Sequence, residues 1–340
     1  MPLLIERSRE PHDVVCGGFL AGDALTLLGR LGIDVAALGG RPIRRARLVA
    51  RQRVAEADLP FAAAGLSRRA LDTALLTRAT EEGAAIERGT AIRRADLDRR
   101  CLHLSDDGAI SADAIFLATG KYETRGGARH ALPDDDPALG LRIRLEPSAT
   151  LARDLHGTIE LHLFRQGYAG LLLQEDGTVN LCLSVAQSRL QAAGGQPEQL
   201  IAQLAREAPL LADRFGGAIA TGEWTSVARI PYGWRARRGQ HGVFRLGDQA
   251  AVIASLAGDG IAIALDSAIR AAHYYLRDGA NASLGFQSDF AARARRPIVI
   301  ANLLKYWGET PWITGALAGL FTRAPGLLRH AAAMTRIGAD

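Results

Sequence analysis

The stretch Phe244 to Ala272, FRLGDQAAVIASLAGDGIAIALDSAIRAA, decides how this chain is read. An apolar strand runs into Gly247-Asp248. A loop ending in Gly258-Asp259-Gly260 follows, and then an alanine-rich helix. A helix start offers unpaired N–H groups and the positive end of the helix dipole. Glycines at 258 and 260 let a ligand approach the backbone closely. Asp248, at the strand's end, is placed to accept hydrogen bonds from sugar-type hydroxyls. Together these parts make a cradle for anions and polyols. The plain alternative is a strand–turn–helix with an ordinary Asp turn.

The 340 residues suit one large or two interleaved domains, with enough apolar content for a sizeable core. The net charge is +5, and Lys121 and Lys305 are the only lysines among the cations. Arginine and alanine richness together reads as a coding bias. The basic clusters are short and carry no aromatic interleaving, so no nucleic-acid partner is expected. Cys16, Cys101 and Cys182 are too widely spaced for a metal site or a disulfide framework. A reducing, cytoplasmic setting and no metal are the expectation. The start, MPLLIERSRE, has no apolar signal region, and no apolar run is long enough to span a bilayer. GxSxG, Walker and HExxH motifs are all missing, and the eight histidines lack ligand-like spacing.

Pro2 to Glu6 reads as a short buried strand ending in an acid. The glycine-bearing loop Pro11–Leu20 leads into a helix from about Gly22 to Leu31. Arg41 to Asp58 alternates as a half-buried strand pair. Ser67 is positioned to cap a helix running to about Glu82. Strands follow near Ala85–Ile92, Cys101–Leu104 and Ala114–Ala118. In the middle, Leu141–Leu145, Thr158–Phe164, Ala169–Gln174 and Val179–Val185 read as an antiparallel sheet, with a hairpin turn at Glu175-Asp176-Gly177. Two helices and a strand, Glu223–Ile230, come next. The polar loop Gly126–Pro137 marks a crossing between domains. The tail Pro311–Arg336 reads as a helical cap or a dimer contact, with a peripheral membrane-facing helix pair as the alternative.

The Phe244–Ala272 stretch resembles the second FAD-binding segment of the flavoprotein hydroxylases and geranylgeranyl reductases, the p-hydroxybenzoate hydroxylase fold. Other blocks are similar to that superfamily in the same order. Glu6 matches the acid that takes the adenosine ribose. Val14–Leu20, VVCGGFL, is similar to the loop beneath the flavin, which assigns Cys16 and Gly17 to cofactor or substrate; the alternative for Cys16 is a small buried hydrophobe. Arg68 matches the cation of the helix that follows, facing phosphates or the pocket edge. Ala112–Gly127 looks like the strand that ends in Asp-Gly in hydroxylases, but here the pair is Thr119-Gly120. Lys121 follows, a compact ammonium in a chain that otherwise uses arginine. Gly167–Val185 resembles the sheet over the substrate, with Tyr168 lining the pocket. The Trp-x-Trp-x-Ile-Pro signature of flavin halogenases is missing.

The resemblance implies an α/β Rossmann-like FAD-binding domain with an inserted antiparallel-sheet substrate domain and C-terminal helices. The FAD-binding parts are placed at 1–130 and 241–290, with 40–60 open to the substrate domain. The substrate domain falls at 131–240 and the C-terminal helices at 291–340. In relatives a strand, a GxGxxG turn and a helix precede the ribose acid, and Met1 lies only five residues before Glu6. The fold is therefore expected to be N-terminally truncated. A late start codon, a truncated gene and a misleading resemblance all remain open. The implied function is an FAD-dependent oxidoreductase of secondary metabolism using NADH or NADPH. A monooxygenase would act through a flavin hydroperoxide on a small hydrophobic, aromatic or polyketide-like substrate. The alternatives are a saturating reductase of an isoprenoid-type alkene and a non-catalytic fragment or ligand-binding protein. The implied cofactor-binding residues are Glu6, Cys16, Gly17, Arg68, Thr119, Gly120, Gly247, Asp248, Gly258 and Gly260. Cys16, Tyr168 and Lys121 are the pocket candidates.

Overall fold

Parallel strands deliver their following loops to a common end, and ligands gather there in open α/β sheets. The computed structural model describes residues 1–129 and 134–338. The first part contains β1 (Leu3–Glu6), β2 (Phe19–Leu20), α1 (Gly22–Arg30), β3 (Arg41–Ala50), β4 (Arg53–Gly65), α2 (Arg68–Glu81) and β5 (Ala85–Arg88). A small meander follows, β6 (Ile92–Asp96), β7 (Cys101–Leu104) and β8 (Ala109–Ser111), and then β9 (Ile115–Leu117). The middle holds β10 (Ala138–Pro147), α3 (Ala149–Leu155), β11 (Thr158–Phe164), β12 (Gly167–Leu173) and β13 (Val179–Ala186). It closes with α4 (Gln187–Ala192), α5 (Pro197–Leu204), α6 (Pro209–Gly216) and β14 (Ala218–Ile230). The chain ends with β15 (Val243–Arg245), α7 (Gly260–Asp278), α8 (Ser283–Arg293), α9 (Arg295–Glu309), α10 (Pro311–Arg323) and α11 (Pro325–Met334).

The eight-stranded sheet runs β14-β10-β13-β12-β11-β3-β4-β2. Its strands alternate between two chemistries, as a period of two requires. Leu141, Ile143 and Leu145 of β10, with Leu181, Leu183 and Val185 of β13, face one way and pack under α3, α5 and α6. The opposite face carries Arg142, Asn180, Cys182, Ser184 and Tyr168. Pairing aligns these as rows, Tyr168 with Ser184 and Arg142 with Cys182. A second core joins α1, α7, α8 and β15 around Leu28, Phe244, Phe286 and Phe290.

The four middle strands pair antiparallel as expected, and β11 also joins β3 in parallel. That register sets Glu160 opposite Arg47, and the two form an ion pair at 2.7 Å. The buried Glu160 also meets Arg214 at 3.1 Å and His162 at 2.8 Å. Burial alone would raise its pKa. His162, Arg214 and Arg47 outweigh burial and hold it at about 2. Two expectations are corrected. First, β1 is not buried: Leu3 and Leu4 are 45% and 39% exposed, since among the described residues β1 bonds only β5, along one edge. Second, the single strand expected at Ala85–Ile92 is two, broken where Gly89 takes a φ of +80°.

Ser67 caps α2 as expected, accepting from the Ala70 N–H at 3.0 Å. Glu175 of the hairpin turn completes that cap by accepting from the Ser67 N–H and hydroxyl, at 2.8 and 2.6 Å. The Gly126–Pro137 loop and the boundary at 130/131 fall partly on residues 130–133, outside those described. The tail caps the molecule. Phe321 of α10 is buried with Leu48, Ala55 and Leu163, and Arg53 donates to the Gly315 carbonyl at 2.6 Å. The outer side of the same helices leaves Trp312 77% exposed. Among the described residues no helix is long and apolar enough to cross a membrane.

Asp259 ties this tail to the core. It is fully buried, bonding Arg336 at 3.1 Å and the Ile337 N–H at 2.9 Å. Burial, opposed by Arg336, pushes its carboxyl up to about 6. A carboxyl raised above its unfolded value, about 3.9, favours folding when protonated. That contribution is full below about pH 4 and is lost as pH rises through 6. Above pH 6 the buried carboxylate relies on Arg336. Arg336→Ala is expected to lower the unfolding free energy by about 3 kcal/mol at pH 8, and by clearly less at pH 5. Urea unfolding at both pH values measures this. Equal losses would mean that Arg336 acts by packing over Phe61 rather than by charge.

Candidate functional site

β9 and β15 pair in parallel, Phe116 beside Phe244 and Leu117 beside Arg245. Their loops therefore emerge side by side, Thr119-Gly120-Lys121 against Gly247-Asp248. Thr119 closes its own turn by donating to the Tyr122 carbonyl at 2.9 Å, and Gly120 takes a φ of +59°. Two side chains lock the turns together. Gln249 donates to the carbonyls of Gly120 and Tyr122, at 3.0 and 2.9 Å. Arg129 donates to the carbonyls of Lys121 and Asp248, both at 2.8 Å, and pairs with Glu123 at 2.6 Å. The Lys121 ammonium then sits 3.3 Å from the Asp248 carboxylate and 3.5 Å from the Val15 carbonyl. Asp248 raises the Lys121 pKa more than burial lowers it, so the ammonium stays charged.

The Cys16-Gly17-Gly18 loop is fastened to the polar face of the sheet. Asn180 donates to the carbonyls of Cys16 and Gly17, at 2.9 and 2.8 Å. Arg142 holds Asn180 at 2.8 Å and Asp13 at 2.9 Å. Gly18 takes a φ of +70°, and a side chain at Gly17 would meet nothing within 4 Å, so the backbone there is open. Arg68 forms a bidentate pair with Asp72, both contacts at 3.0 Å, with its charge near Cys16. Burial opposes its charge, but Asp72 and Cys16 hold its pKa above the ordinary value. The Cys16 thiol is thus in the fields of two fixed cations, Arg68 and Lys121.

A chain of hydroxyls continues along the sheet. Tyr168 hydrogen-bonds Ser255, Ser255 bonds Tyr232 at 2.5 Å, and Tyr232 reaches Ser184 at 3.2 Å. Burial, then Tyr232, pushes the Tyr168 phenol well up, so it stays protonated. Burial also pushes the neighbouring Cys182 thiol up to about 12.

The start of α7 adjoins this cluster through the single 3-10 turn at Ser255–Ala257. Gly258 has a φ of +70°, and a side chain there would come within 2.7 Å of the Phe19 ring. Gly260 opens the helix with free space beside it, and no side chain caps the helix start. Its first N–H groups are therefore available to an anion. Gly247 has a φ of +53° and donates its N–H to Ser267 at 2.8 Å. Glu6 ends β1 and accepts from the Ser8 N–H at 2.7 Å. No hydrogen bond or ion pair among the described residues links it to the cluster.

Cys16, Gly17, Arg68, Thr119, Gly120, Lys121, Tyr168 and Asp248 are thus brought into one connected polar cluster. Sequence reasoning missed most of what supports them: Asp13, Asp72, Arg129, Arg142, Gln249 and Ser255. One signal was present. Asn180, Cys182 and Ser184 place polar groups at every second position of an otherwise apolar strand, which marks a face over a polar chamber. The cluster can hold negative charge, approach a flat ligand with bare backbone and keep a proton on a buried hydroxyl chain.

No family model matches the sequence, and no curated protein is similar to it. Solved structures are similar in fold. PqsL, a probable FAD-dependent monooxygenase from Pseudomonas aeruginosa, is 16% identical with a TM-score of 0.69, over 92% of this chain and 91% of that one. The flavin-dependent brominase Bmp2 is 17% identical with a TM-score of 0.77, over 98% and 86%. A geranylgeranyl bacteriochlorophyll reductase-like protein from Thermoplasma acidophilum is 15% identical with a TM-score of 0.76, over 94% and 85%. The chain has the fold that these FAD-dependent monooxygenases, flavin halogenases and reductase-like proteins share.

Proposed function

We propose that this protein is an FAD-dependent oxidoreductase, and more narrowly a monooxygenase that hydroxylates an aromatic or polyketide-like small molecule with electrons from NADH or NADPH. One observation carries the reading: a Gly-Asp turn at the carboxyl end of a parallel strand packs on α7 at Ala264 and Ser267, and the start of that helix is uncapped. An N–H cluster with a carboxylate next to it suits a ligand that carries both phosphate and hydroxyl groups. The fold likeness to proteins named as FAD-dependent supports it.

The residues fit such a cofactor. Side chains built at Gly17, Gly120 or Gly260 would meet no atom within 4 Å, so a flat ring or a polyol chain can lie against bare backbone. Asp248 and the α7 start would hold the polyol and phosphate groups. Glu6 would take the adenosine ribose, and Arg68 the phosphates or the pocket edge. FAD, when bound, supplies the electron-pair chemistry that no side chain here provides. Lys121 and Arg68 bring fixed positive charge that favours negative charge developing nearby. The Tyr168–Ser255–Tyr232–Ser184 chain offers a substrate hydroxyl a place to leave or fetch a proton at the Tyr232 oxygen. The apolar face of the sheet, sealed by α3, α5 and α6, gives this chamber a rigid wall.

The purified chain incubated with FAD is expected to carry a flavin absorbance band at near-equimolar amount. Asp248→Asn is expected to weaken FAD binding about tenfold, the effect of one charge-assisted hydrogen bond. A folded protein that stays colourless would overturn the reading. With flavin bound, Tyr232→Phe cuts the hydroxyl chain between Ser184 and Ser255. Substrate-dependent oxygen uptake is expected to fall at least about tenfold while flavin content is unchanged. NAD(P)H oxidation coupled to alkene reduction, without oxygen uptake, would replace the monooxygenase by the saturating reductase.

A further inference from the structure

A second opening lies on the other side of the Gly-Asp turn. A cleft of about 1810 Å³ runs between residues 229–240, α8 and α9. That is well above the roughly 300–1,000 Å³ of an ordinary small-ligand pocket. Six guanidinium groups line it; Arg129 is paired with Glu123, and the other five are Arg229, Arg235, Arg237, Arg238 and Arg245. None of the five makes an ion pair among the described residues, whereas Arg47, Arg68, Arg129, Arg142 and Arg214 all do.

The carboxylates along the cleft do not balance these charges. Glu123 is taken by Arg129 at 2.6 Å and Glu309 by Lys305 at 2.7 Å. Asp136 accepts from the Ser188 N–H and hydroxyl, at 2.9 and 2.7 Å, and Asp134 accepts from the Asp136 N–H at 3.1 Å. Five cations without an ion pair thus share the cleft with two carboxylates that lack a cationic partner. The crowding is physical. Burial, with Arg237 and Arg295 close by, lowers the pKa of Arg235. Arg235 is nevertheless fixed in place by donating to the Ala291 carbonyl at 2.6 Å, and Arg245 by donating to the Gly127 carbonyl at 2.9 Å.

Two further features point to a ligand. Gln287 is fully buried in the wall of the cleft and accepts from the Arg245 N–H at 3.1 Å, yet its Nε2 donor has no partner. A buried donor left unsatisfied costs about 1–3 kcal/mol, a cost that a ligand acceptor removes. Trp234 and the 61% exposed Tyr306 line the same space and offer flat surfaces for a base. Planar guanidinium forks match phosphate oxygens bidentately, and a cleft with an excess of positive charge concentrates anions. The inner end is Tyr232, which lines the cleft and hydrogen-bonds into the chamber at Ser184 and Ser255.

We propose that this cleft binds the phosphate end of a ligand bearing adenosine diphosphate, with its other end entering the chamber past Tyr232. Two sources share that chemistry: a reduced nicotinamide dinucleotide, and a coenzyme A thioester that delivers an acyl substrate. The site is built from residues other than those assigned to flavin, so its test runs independently of that reading.

The test is calorimetric titration of the full chain, preloaded with FAD and also flavin-free, with NADPH, NADH, coenzyme A and pyrophosphate. Saturable binding of a nucleotide, tighter than that of pyrophosphate, is expected. Arg237→Glu, at an exposed position, and Arg235→Ala should each weaken it about tenfold. The same substitutions should leave flavin content unchanged, and Asp248→Asn should leave nucleotide affinity unchanged. Arg206→Glu, an exposed change of the same charge in the turn after α5, is the control. A preference for NADPH or NADH over coenzyme A names the electron donor as the source, and the reverse names the acyl carrier. No saturable binding, pyrophosphate as tight as any nucleotide, or an equal loss in Arg206→Glu would overturn the proposal.

Discussion

The parallel pairing of β9 with β15 is the constraint on which the rest of the site depends. Each strand has only three residues, so the pairing alone supplies few backbone bonds. Its consequence is positional. Both turns leave the same end, and Gln249 and Arg129 can then bond carbonyls on both. In an antiparallel pair, Thr119-Gly120 and Gly247-Asp248 would leave opposite ends, and Lys121 would not meet Asp248. The stacked rings of Phe116 and Phe244, 4.7 Å apart at neighbouring positions, fix the register that brings them together.

The large sheet supplies the opposite wall, and it does so by being two-faced. Its apolar face, under α3, α5 and α6, is sealed by aliphatic packing that tolerates no slip, because a one-residue shift would turn Leu181 and Leu183 outward. The other face is thereby held in register as well. Asn180, Cys182 and Ser184 stand in a row, Asn180 holding the Cys16 loop and Ser184 meeting the tyrosine chain. The precision of the polar site is borrowed from the stiffness of the apolar core behind it.

Much of this frame was legible in the residues. The Ser67 cap, the Glu175 hairpin, the strand before Gly247-Asp248 and the helix after Gly260 rest on local chemistry: a capping hydroxyl, a turn, an apolar run and an alanine-rich period. The parallel β3–β11 pairing was not legible, because it joins segments more than a hundred residues apart and is selected by the buried meeting of Arg47 with Glu160. The exposure of β1 was missed for a similar reason. Four apolar-rich residues look the same whether a strand has one neighbour or two. At the site, residues with special backbone needs, such as Gly120, Gly247 and Gly258, stood out in the sequence. The residues that orient them, Arg129, Gln249 and Arg142, did not, since one arginine among so many carries no local mark. Asp259 was read with the glycines on either side of it, yet its carboxylate turns inward to Arg336.

The choice of lysine at 121 follows from the same crowding. Its ammonium meets the Asp248 carboxylate and the Val15 carbonyl and acts on Cys16, all from one point between two turns and a loop. A guanidinium presents its donors in a rigid plane several ångströms wide, and three acceptors arranged around a point suit a rotating ammonium better. Arg68 shows the contrast. It approaches Cys16 from α2, where Asp72 one turn along offers two parallel oxygens, and there the planar fork is filled by a bidentate pair. The unpaired arginines of the second cleft are a third case, planar forks with no carboxylate partner. The chain thus places its cations by geometry: a point charge where acceptors converge, a closed fork where a carboxylate is supplied, and open forks where none is.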